Sequence, residues 1–376
     1  MRVAILETVK TNGGFEQEFD RLIFNELKTQ GHEPVLYLPE YSSLPVDFNV
    51  PIEYLEGGKI IQYEGASKLK KIWLSIQREK RRVNWFNAAY QKAQEGKIDA
   101  ILLTTATYRY LRSLHKSKLK DSPVPIIFIF LGVNPKEKSK FLEQARKCRA
   151  YSNIKLKVTS LRNDFKNDNV SNVKIIPPPV LVPKGIAAKP EILPHNPLRV
   201  GFFGHYRKGE KNIQAIIKAF VEAQKGNNVE FYIQLAPTTQ EDLADVEQIS
   251  FEYQEEKGIH FIKRKLLGQE WYQTLQEMDV IFLPYNKARY LYNWSAVYFN
   301  ALGLYKPVIV TNILNPEILQ QYQVGITVDL DDEIKLIEKL KYFISSFNDT
   351  LPKYNSELQR VNDDFSTARF LANVLN

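Results

Sequence analysis

Residues 198–220, LRVGFFGHYRKGEKNIQAIIKAF, contain the pattern that decides the fold. A short apolar run ends at Gly204, a basic loop follows, and a stretch with helical spacing of apolar residues begins near Asn212. Strand, glycine turn and helix in this order are typical of parallel sheets, because the chain must cross over before the next parallel strand.

The same alternation extends on both sides of this stretch. Short, almost uninterrupted apolar runs alternate with helix-like segments; among them are RVAILET (2–8), IDAILLTT (98–105), PIIFIFLG (125–132), VEFYIQL (229–235), DVIFLPY (279–285) and KPVIVTN (306–312). Such runs indicate parallel strands that are buried on both faces. The sequence therefore predicts an α/β protein with two Rossmann-like, doubly wound parallel-sheet domains that face a cleft, with ligands at the carboxyl ends of the strands.

A proline-rich segment separates the two series of strands. Residues 177–199 hold seven prolines and show no hydrophobic face. We therefore predict an N-terminal domain over 1–180, a linker over 181–197 and a C-terminal domain over 198–355.

Composition excludes several classes of protein. The chain has 376 residues and a single cysteine, Cys148, which excludes an internal disulfide and disfavours a zinc site. No apolar run reaches the roughly 18 residues that a membrane-spanning helix needs. The N-terminal sequence lacks the features of a signal peptide, so we expect a cytoplasmic location, either free or at a membrane surface.

The charge is unevenly distributed. Residues 1–190 hold 32 Lys and Arg against 19 Asp and Glu, whereas the whole chain has a net charge of +8. A basic N-terminal half predicts an anionic partner, which could be a nucleic acid, an anionic membrane or a phosphorylated substrate. Solvated helix faces are the alternative explanation.

Two loops could hold an anionic ligand. Gly13 and Gly14 follow the first strand, where the lack of Cβ atoms lets a ligand approach the backbone, although the spacing is not that of a dinucleotide site. The loop after Gly204 carries four basic side chains beside a helix N-terminus, which would suit a diphosphate. They are His205, Arg207, Lys208 and Lys211.

A third segment follows the strand that ends near Tyr285. Ser295 is a candidate helix cap, and the N–H groups of Ala296 and Val297 could then bind phosphate oxygens. Asn300 lies about one turn further along and could bind a ribose hydroxyl.

Together these segments resemble the GT-B glycosyltransferases, specifically the retaining group 1 (family-4-type) enzymes. The resemblance rests on the glycine loop and helix of 13–37, on VTSLRNDF (158–165), on the basic loop and on WSAVYFNALGLYKPVIVT (294–311). The ending, 356–376, resembles the C-terminal helix that crosses back to the first domain in that family.

The resemblance implies transfer of a sugar from a nucleotide-diphosphate sugar to a hydroxyl of a lipid-linked or polysaccharide acceptor, with retention of configuration and without a metal or other cofactor. It implies catalytic roles for Lys211 and Arg207. The implied donor-binding residues are Gly13, Gly14, Gly204, His205, Lys208, Tyr285, Tyr292, Ser295, Ala296, Val297 and Asn300.

The sequence departs from the family at three points. Tyr292 and Asn300 stand where the family has two glutamates, and residues 131–134 lack the histidine that many members carry. A catalytically impaired GT-B protein, which binds sugar nucleotide or glycan or serves as a partner of an active transferase, is therefore an alternative. A sugar-nucleotide epimerase is a weaker one, because the chain has few candidate acid and base residues.

A basic and aromatic stretch covers residues 68–92. It is typical of a helix at an anionic membrane, although a core-facing aromatic stripe with a solvated basic back, or a nucleic-acid-binding helix, would use the same residues. The resemblance favours a membrane or acceptor surface over nucleic acid. The residues predicted for it are Lys70, Lys71, Trp73, Arg81, Arg82 and Trp85.

Overall fold

The computed structural model describes residues 1–7, 15–40, 48–57, 67–162, 170–182, 185–186, 188–209 and 212–376. The chain forms two compact units. The first comprises Met1–Pro178 and Thr367–Asn376, and the second comprises Pro179–Ser366.

The first unit contains a seven-stranded parallel sheet in the order β3-β2-β1-β4-β5-β6-β7. Its strands are β1 (Arg2–Leu6), β2 (Glu33–Pro39), β3 (Ile52–Leu55), β4 (Ala100–Leu103), β5 (Ile126–Phe130), β6 (Ile154–Thr159) and β7 (Val173–Ile176). Its helices are α1 (Phe15–Thr29), α2 (Lys68–Gln94), α3 (Tyr108–His115) and α4 (Lys138–Lys147), with 3-10 turns at Lys118–Asp121, Pro135–Glu137 and Cys148–Ala150. Every residue of β4 and β5 is buried, as their unbroken apolar sequences require.

The second unit contains a six-stranded parallel sheet in the order β12-β10-β8-β13-β14-β15 and a small pair of β9 with β11. Its strands are β8 (Leu198–Phe202), β9 (His205–Tyr206), β10 (Val229–Gln234), β11 (Ala236–Pro237), β12 (Ile259–Ile262), β13 (Val280–Leu283), β14 (Val308–Thr311) and β15 (Gly325–Val328). Its helices are α5 (Ile213–Gln224), α6 (Gln240–Glu252), α7 (Gly268–Gln276), α8 (Ala296–Gly303), α9 (Pro316–Gln321), α10 (Glu333–Ser345) and α11 (Phe347–Asp364), with a 3-10 turn at Ala288–Tyr290. The predicted fold class, with two parallel sheets and covering helices, is confirmed.

Each sheet has one switch point, where the strand order reverses direction. In the first unit it lies between β1 and β4, and in the second between β8 and β13, which pair from Val200–Val280 to Phe202–Phe282. The loops that follow these strands diverge and leave a crevice at the carboxyl edge of the sheet, where ligands of such folds bind. The basic loop and the segment before Ser295 therefore leave the sheet from adjacent strands.

The proline-rich segment differs from a free linker, because much of it packs on the second unit. Backbone N–H groups of Val180 and Leu181 donate to the carbonyl oxygens of Phe365 (2.8 Å) and Phe299 (3.2 Å). Further along, the N–H and Nδ1 of His195 contact the buried carboxylate of Asp279. Proline removes the N–H groups that a sheet would need, and the remaining amides bond to the unit that follows.

The chain returns to the first unit only at Thr367, later than the predicted residue 356. Tyr354 and Leu358 of α11 are buried within the second unit, where Tyr354 packs on Phe343 and Phe347. The last helix, α12 (Thr367–Leu375), then packs on α1 through an edge-on contact of Phe370 with Phe19.

Two lysines of β6 hold the end of α12. Lys157 Nζ donates to the carbonyl of Asn373 at 2.8 Å, and Lys155 Nζ donates to that of Leu375 at 3.1 Å. Cations at a helix C-terminus are favourable because they face the carbonyl end of the dipole. Burial, together with the charges of Lys174 and Lys155, lowers the pKa of Lys157 to about 8.

Candidate functional site

The loop after β8 is anchored by a buried glutamine. Gln234 at the end of β10 accepts the Gly204 N–H at 2.9 Å and donates to the carbonyl of Arg264 at 2.8 Å. Gly204 has φ +144°, a conformation that side chains rarely adopt, so glycine is needed where the loop leaves the sheet. His205 and Tyr206 then pair with Ala236 and Pro237 as a short parallel bridge.

The side chain of Lys208 faces acidic residues of α6. Its Nζ lies 3.7 Å from Asp245 and 3.9 Å from Glu241, and its backbone N–H donates to Asp242 at 2.9 Å. Hydrogen bonds from Thr238 and from the Lys208 amide hold the pKa of Asp242 well below its ordinary value. Lys208 therefore fixes the loop against α6, a role that the sequence did not indicate.

Two further basic side chains of this loop, those of Arg207 and His205, are exposed. Arg207 makes no hydrogen bond or ion pair with any residue that the structure describes. Lys211 lies outside the described residues. Lys287, which follows β13, donates to the carbonyl of Gly209 at 3.2 Å and so joins the two switch-point loops. Sequence reasoning missed Lys287, although it is a cation directly after a buried strand.

The N-terminus of α8 follows the other switch-point strand, β13, along the chain. Ser295 has φ +51°, its Oγ accepts the Tyr298 N–H at 3.4 Å, and its own N–H donates to Asn293 at 2.9 Å. No acceptor among the described residues faces the N–H groups of Ala296 and Val297, and both residues are partly exposed. The predicted cap is present, and it leaves two donors for a ligand.

Two tyrosines of the predicted donor set lie in the segment between β13 and α8. Tyr285 is largely buried, its carbonyl accepts the Thr311 hydroxyl at 2.5 Å, and its ring packs on Tyr290 at 4.7 Å. Tyr292 is also largely buried. Both therefore support the shape of the segment through packing.

Asn300 differs from the predicted ribose contact. It is 3% exposed, its Nδ2 donates to the carbonyl of Leu181 at 2.7 Å, and its Oδ1 accepts the Trp271 indole N–H at 3.3 Å. The segment around Leu181 passes so close to α8 that a Cβ on Gly303 would lie 2.6 Å from Val182. Asn300 thus fastens this segment to α8. Its side chain is therefore not available to bind a ribose hydroxyl.

A buried carboxyl pair occupies the switch point of the first unit. Gly13 and Gly14 lie outside the described residues, but Glu7 directly after β1 and Asp20 of α1 are buried. The hydroxyl oxygen of Thr104 lies 2.6 Å from Asp20 Oδ1 and 3.0 Å from Glu7 Oε2. One hydroxyl proton cannot serve both contacts, so a carboxyl proton must occupy one of them.

Asp20 is the carboxyl that we expect to carry this proton. Burial and the charge of Glu7 raise the pKa of Asp20 well above its ordinary value. Its O–H then donates to Thr104, whose hydroxyl donates to Glu7. Sequence reasoning missed the pair, although Asp20 stands at helical spacing with the buried Phe24 and Leu27.

We expect Asp20→Asn to stabilise the protein at neutral pH. A carboxyl whose pKa is higher in the folded than in the unfolded state stabilises the protein fully at a pH below its unfolded-state pKa. This stabilisation is lost as the pH rises through the folded-state pKa. Over that window the wild-type free energy of unfolding should fall by up to about 1.4 kcal/mol per pH unit, and the variant should lack this fall. Urea titrations from pH 4 to pH 8 measure both. A destabilised Asp20→Asn with an unchanged pH trend would show that Asp20 is ionised.

The structure corrects two residues of the predicted membrane surface, Trp85 and Arg82; the Arg82 guanidinium lies 4.4 Å from the centre of the Tyr110 ring of α3. Trp85 is 1% exposed and packs on Phe86 with ring centroids 5.8 Å apart, so it belongs to the core. Trp73 is 55% exposed, and Lys70 and Lys71 are exposed as well. Trp73 and Trp85 are twelve residues apart, which places them about 120° apart around the helix axis.

The N-terminal half of α2 has an apolar stripe on the surface. It consists of four exposed side chains at helical spacing, Leu69, Ile72, Trp73 and Ile76. We call these four residues the α2 stripe. An exposed apolar patch of this kind marks a binding surface.

No helix within the described ranges is long and apolar enough to cross a membrane. No group of three or more His, Cys, Asp and Glu side chains in those ranges is arranged to hold a metal ion.

Residues 197–346, which lie in the second unit and include both switch-point loops, match the glycosyl transferases group 1 family. The predicted resemblance is confirmed. Arg207 and α8 therefore lie within the residues that match this family. No curated protein sequence matches this chain.

Solved structures similar to the whole chain are glycosyltransferases of the GT-B fold. Sucrose-phosphate synthase from Thermosynechococcus elongatus has a TM-score of 0.68 at 12% identity, and the match covers 100% of this chain and 98% of that one. Anabaena HepE, solved in complex with UDP and glucose, has a TM-score of 0.64 at 14% identity, with 100% and 99% covered. WaaG, a glycosyltransferase involved in lipopolysaccharide biosynthesis, has a TM-score of 0.61 at 13% identity, with 99% of each chain covered. At these identities the likeness shows the fold.

Proposed function

We propose that this protein transfers a sugar from a nucleotide-diphosphate sugar to a hydroxyl of a lipid-linked or polysaccharide acceptor, with retention of configuration and without a metal ion. The observation that carries this proposal is the origin of these groups at neighbouring strands of one sheet. Exposed Arg207 follows β8, and the two unpaired N–H groups of α8 follow the adjacent strand, β13. A diphosphate needs such cations and oriented donors. UDP in the crystal of HepE supports a nucleotide ligand for this fold.

The chemistry requires stabilisation of a leaving diphosphate. The bond between the anomeric carbon and the diphosphate oxygen breaks, the acceptor oxygen forms the new bond, and the acceptor proton passes to the leaving group. Arg207 and Lys211 would neutralise the charge that develops on the diphosphate, and the N–H groups of Ala296 and Val297 would donate to it. Gly204 and Ser295 would position these groups, and Gly13 and Gly14 remain proposed contacts.

Calorimetry and product analysis with a panel of UDP-, GDP- and ADP-sugars test this function. We expect binding of at least one donor and transfer to an added glycan or lipid acceptor, with the configuration of the new bond read by NMR. Binding of none of these donors would contradict the proposal.

A catalytically impaired sugar-nucleotide-binding protein is the second candidate. It is favoured by Tyr292 and Asn300, which stand at the family's glutamate positions and are buried in packing roles. Donor binding without transfer or donor hydrolysis would support this candidate. Slow transfer that disappears in Arg207→Ala would contradict it.

We further propose that the α2 stripe rests on an anionic membrane. Exposed Lys68, Lys70 and Lys71 adjoin the stripe, and basic residues beside an apolar helix face favour an anionic bilayer surface. A cytoplasmic protein with this surface would reach lipid-linked acceptors directly.

The double variant Trp73→Ser with Ile76→Ser should reduce binding to phosphatidylcholine vesicles that contain phosphatidylglycerol by roughly tenfold or more, because two large apolar side chains no longer enter the bilayer. Co-sedimentation measures the bound fraction. The matched control is Ile334→Ser, which alters a side chain that is 71% exposed on the second unit. Equal binding of the double variant and the control would rule out the stripe as the contact.

A further inference from the structure

A groove between α2 and α3 concentrates positive charge in the first unit. It has a volume of about 520 Å³. Five cationic side chains and one carboxylate line it, together with Ile72, Ser75 and Tyr108; the charged residues are Lys71, Arg78, Arg82, Arg109 and Arg112, with Glu79. We call this the α2–α3 groove.

The cations occupy the face of α2 that turns towards the protein. In the C-terminal half of the helix, Trp85, Ala89 and Ala93 are buried on one face. Arg78 and Arg82 precede Trp85 by seven and three residues, which places them on the same face. Cations at such positions cost free energy unless something compensates their charge.

Arg82 is held in place without a carboxylate partner. Its guanidinium lies 4.4 Å from the centre of the Tyr110 ring, and Nη1 donates to the Arg109 carbonyl and the Ser113 hydroxyl, both at 3.2 Å. Burial disfavours its charged form and lowers the pKa of Arg82. Within the described ranges no carboxylate lies within ion-pair distance of Arg82, and only Nη1 has an acceptor.

The single carboxylate of the groove is already shared by two cations. Glu79 accepts from Arg112 Nη2 at 2.9 Å and from Lys116 Nζ at 2.6 Å. Burial opposes the charged form of Glu79, but these two cations outweigh it, and the pKa of Glu79 is lowered. Glu79 orients Arg112, and Arg109 lies 3.5 Å from a second carboxylate, Glu137, outside the lining. Five cations against these two carboxylates give the groove a positive net charge.

We propose that the α2–α3 groove binds a phosphate group that the acceptor carries. Guanidinium groups offer planar pairs of donors that match phosphate oxygens, and a tetrahedral anion would supply the charge that the groove lacks. Ile72 belongs to both the groove and the α2 stripe, so a phosphate at this place would lie beside the proposed bilayer contact. The assignment to the acceptor rests on the proposed sugar transfer, whereas anion binding by the groove does not.

Calorimetry of the full chain with inorganic phosphate, in the presence of saturating UDP, tests the groove. We expect the double variant Arg78→Gln with Arg112→Gln to bind phosphate about tenfold more weakly or worse, since each lost charged hydrogen bond contributes substantially. Lys80→Gln with Lys118→Gln is the matched control, because it removes the same charge from exposed positions of the first unit outside the groove. The single variant Lys71→Gln changes an exposed residue of the groove and should reduce phosphate affinity by a smaller factor. It keeps the proposal testable if the double variant fails to fold.

Vesicles distinguish the two sources of phosphate. If the groove takes a lipid headgroup, the double variant should also lose affinity for phosphatidylcholine vesicles that contain phosphatidic acid. If it takes a soluble phosphorylated glycan, only phosphate binding should fall. Equal phosphate affinity of the double variant and its control would overturn the proposal. Failure of UDP to bind the wild type would instead contradict the proposed function, and phosphate binding would then be compared without UDP.

Discussion

Lys211→Ala should lower the rate of sugar transfer by about 100-fold or more, because removing one preorganised donor at a developing negative charge costs roughly 10²- to 10³-fold in rate. Lys211 comes two residues before α5 in the sequence, and the resemblance to the group 1 enzymes implies that it binds the diphosphate. Steady-state kinetics with the best donor of the panel measures the effect. The loss should appear mainly in kcat, since the charge develops as the diphosphate departs.

The matched control for this change is Lys218→Ala, which removes an exposed lysine from the same loop-helix segment. It should retain wild-type activity. An active Lys211→Ala would remove Lys211 from the proposed machinery, and equal losses in both variants would point to a general effect of charge.

Ala296→Pro should weaken binding of a nucleoside diphosphate by about tenfold or more, because it removes one backbone N–H that would donate to a charged phosphate. Proline is well tolerated at the first position of a helix, where its missing N–H has no partner within the helix. The change therefore removes a donor while α8 is expected to remain folded. Calorimetry with UDP measures the loss of affinity.

Ala296→Ser is the companion variant, since it alters the side chain and keeps the N–H group. Its affinity should remain close to that of the wild type, and thermal unfolding of both variants verifies that α8 is intact. If a folded Ala296→Pro binds UDP as tightly as Ala296→Ser, the N–H of Ala296 does not contact the diphosphate.

The architecture could be predicted from the sequence because buried parallel strands have a distinctive local pattern. IIFIF in β5 and VIFL in β13 are apolar at every position, and neither a surface strand nor an amphipathic helix has that composition. The cap at Ser295 was also predictable, because the side chain that accepts the Tyr298 N–H lies only three residues away.

Features that depend on contacts between distant segments could not be predicted in this way. In the sequence, Asn300 has the position of a polar residue at a ligand site. Its hydrogen-bond partners, Leu181 and Trp271, are 119 and 29 residues away along the chain. The carboxyl pair joins Glu7, Asp20 and Thr104 from three separate elements. Arg109 and Arg112 lie on α3, and they line the α2–α3 groove only because α2 lies beside them in the fold.

The error at Trp85 has a different origin. The buried residues of α2, Trp85, Phe86, Ala89 and Ala93, all lie in its C-terminal half, so one basic and aromatic stretch contains both surface and core residues. A single amphipathic pattern over the whole helix therefore misplaces one of the two tryptophans.

A crystal structure of the protein with UDP would show where the diphosphate binds. We expect it at the switch point of the second sheet, with Arg207 and Lys211 on one side and the N–H groups of Ala296 and Val297 on the other. Density for the diphosphate elsewhere on the protein, with these groups exposed to solvent only, would contradict this expectation.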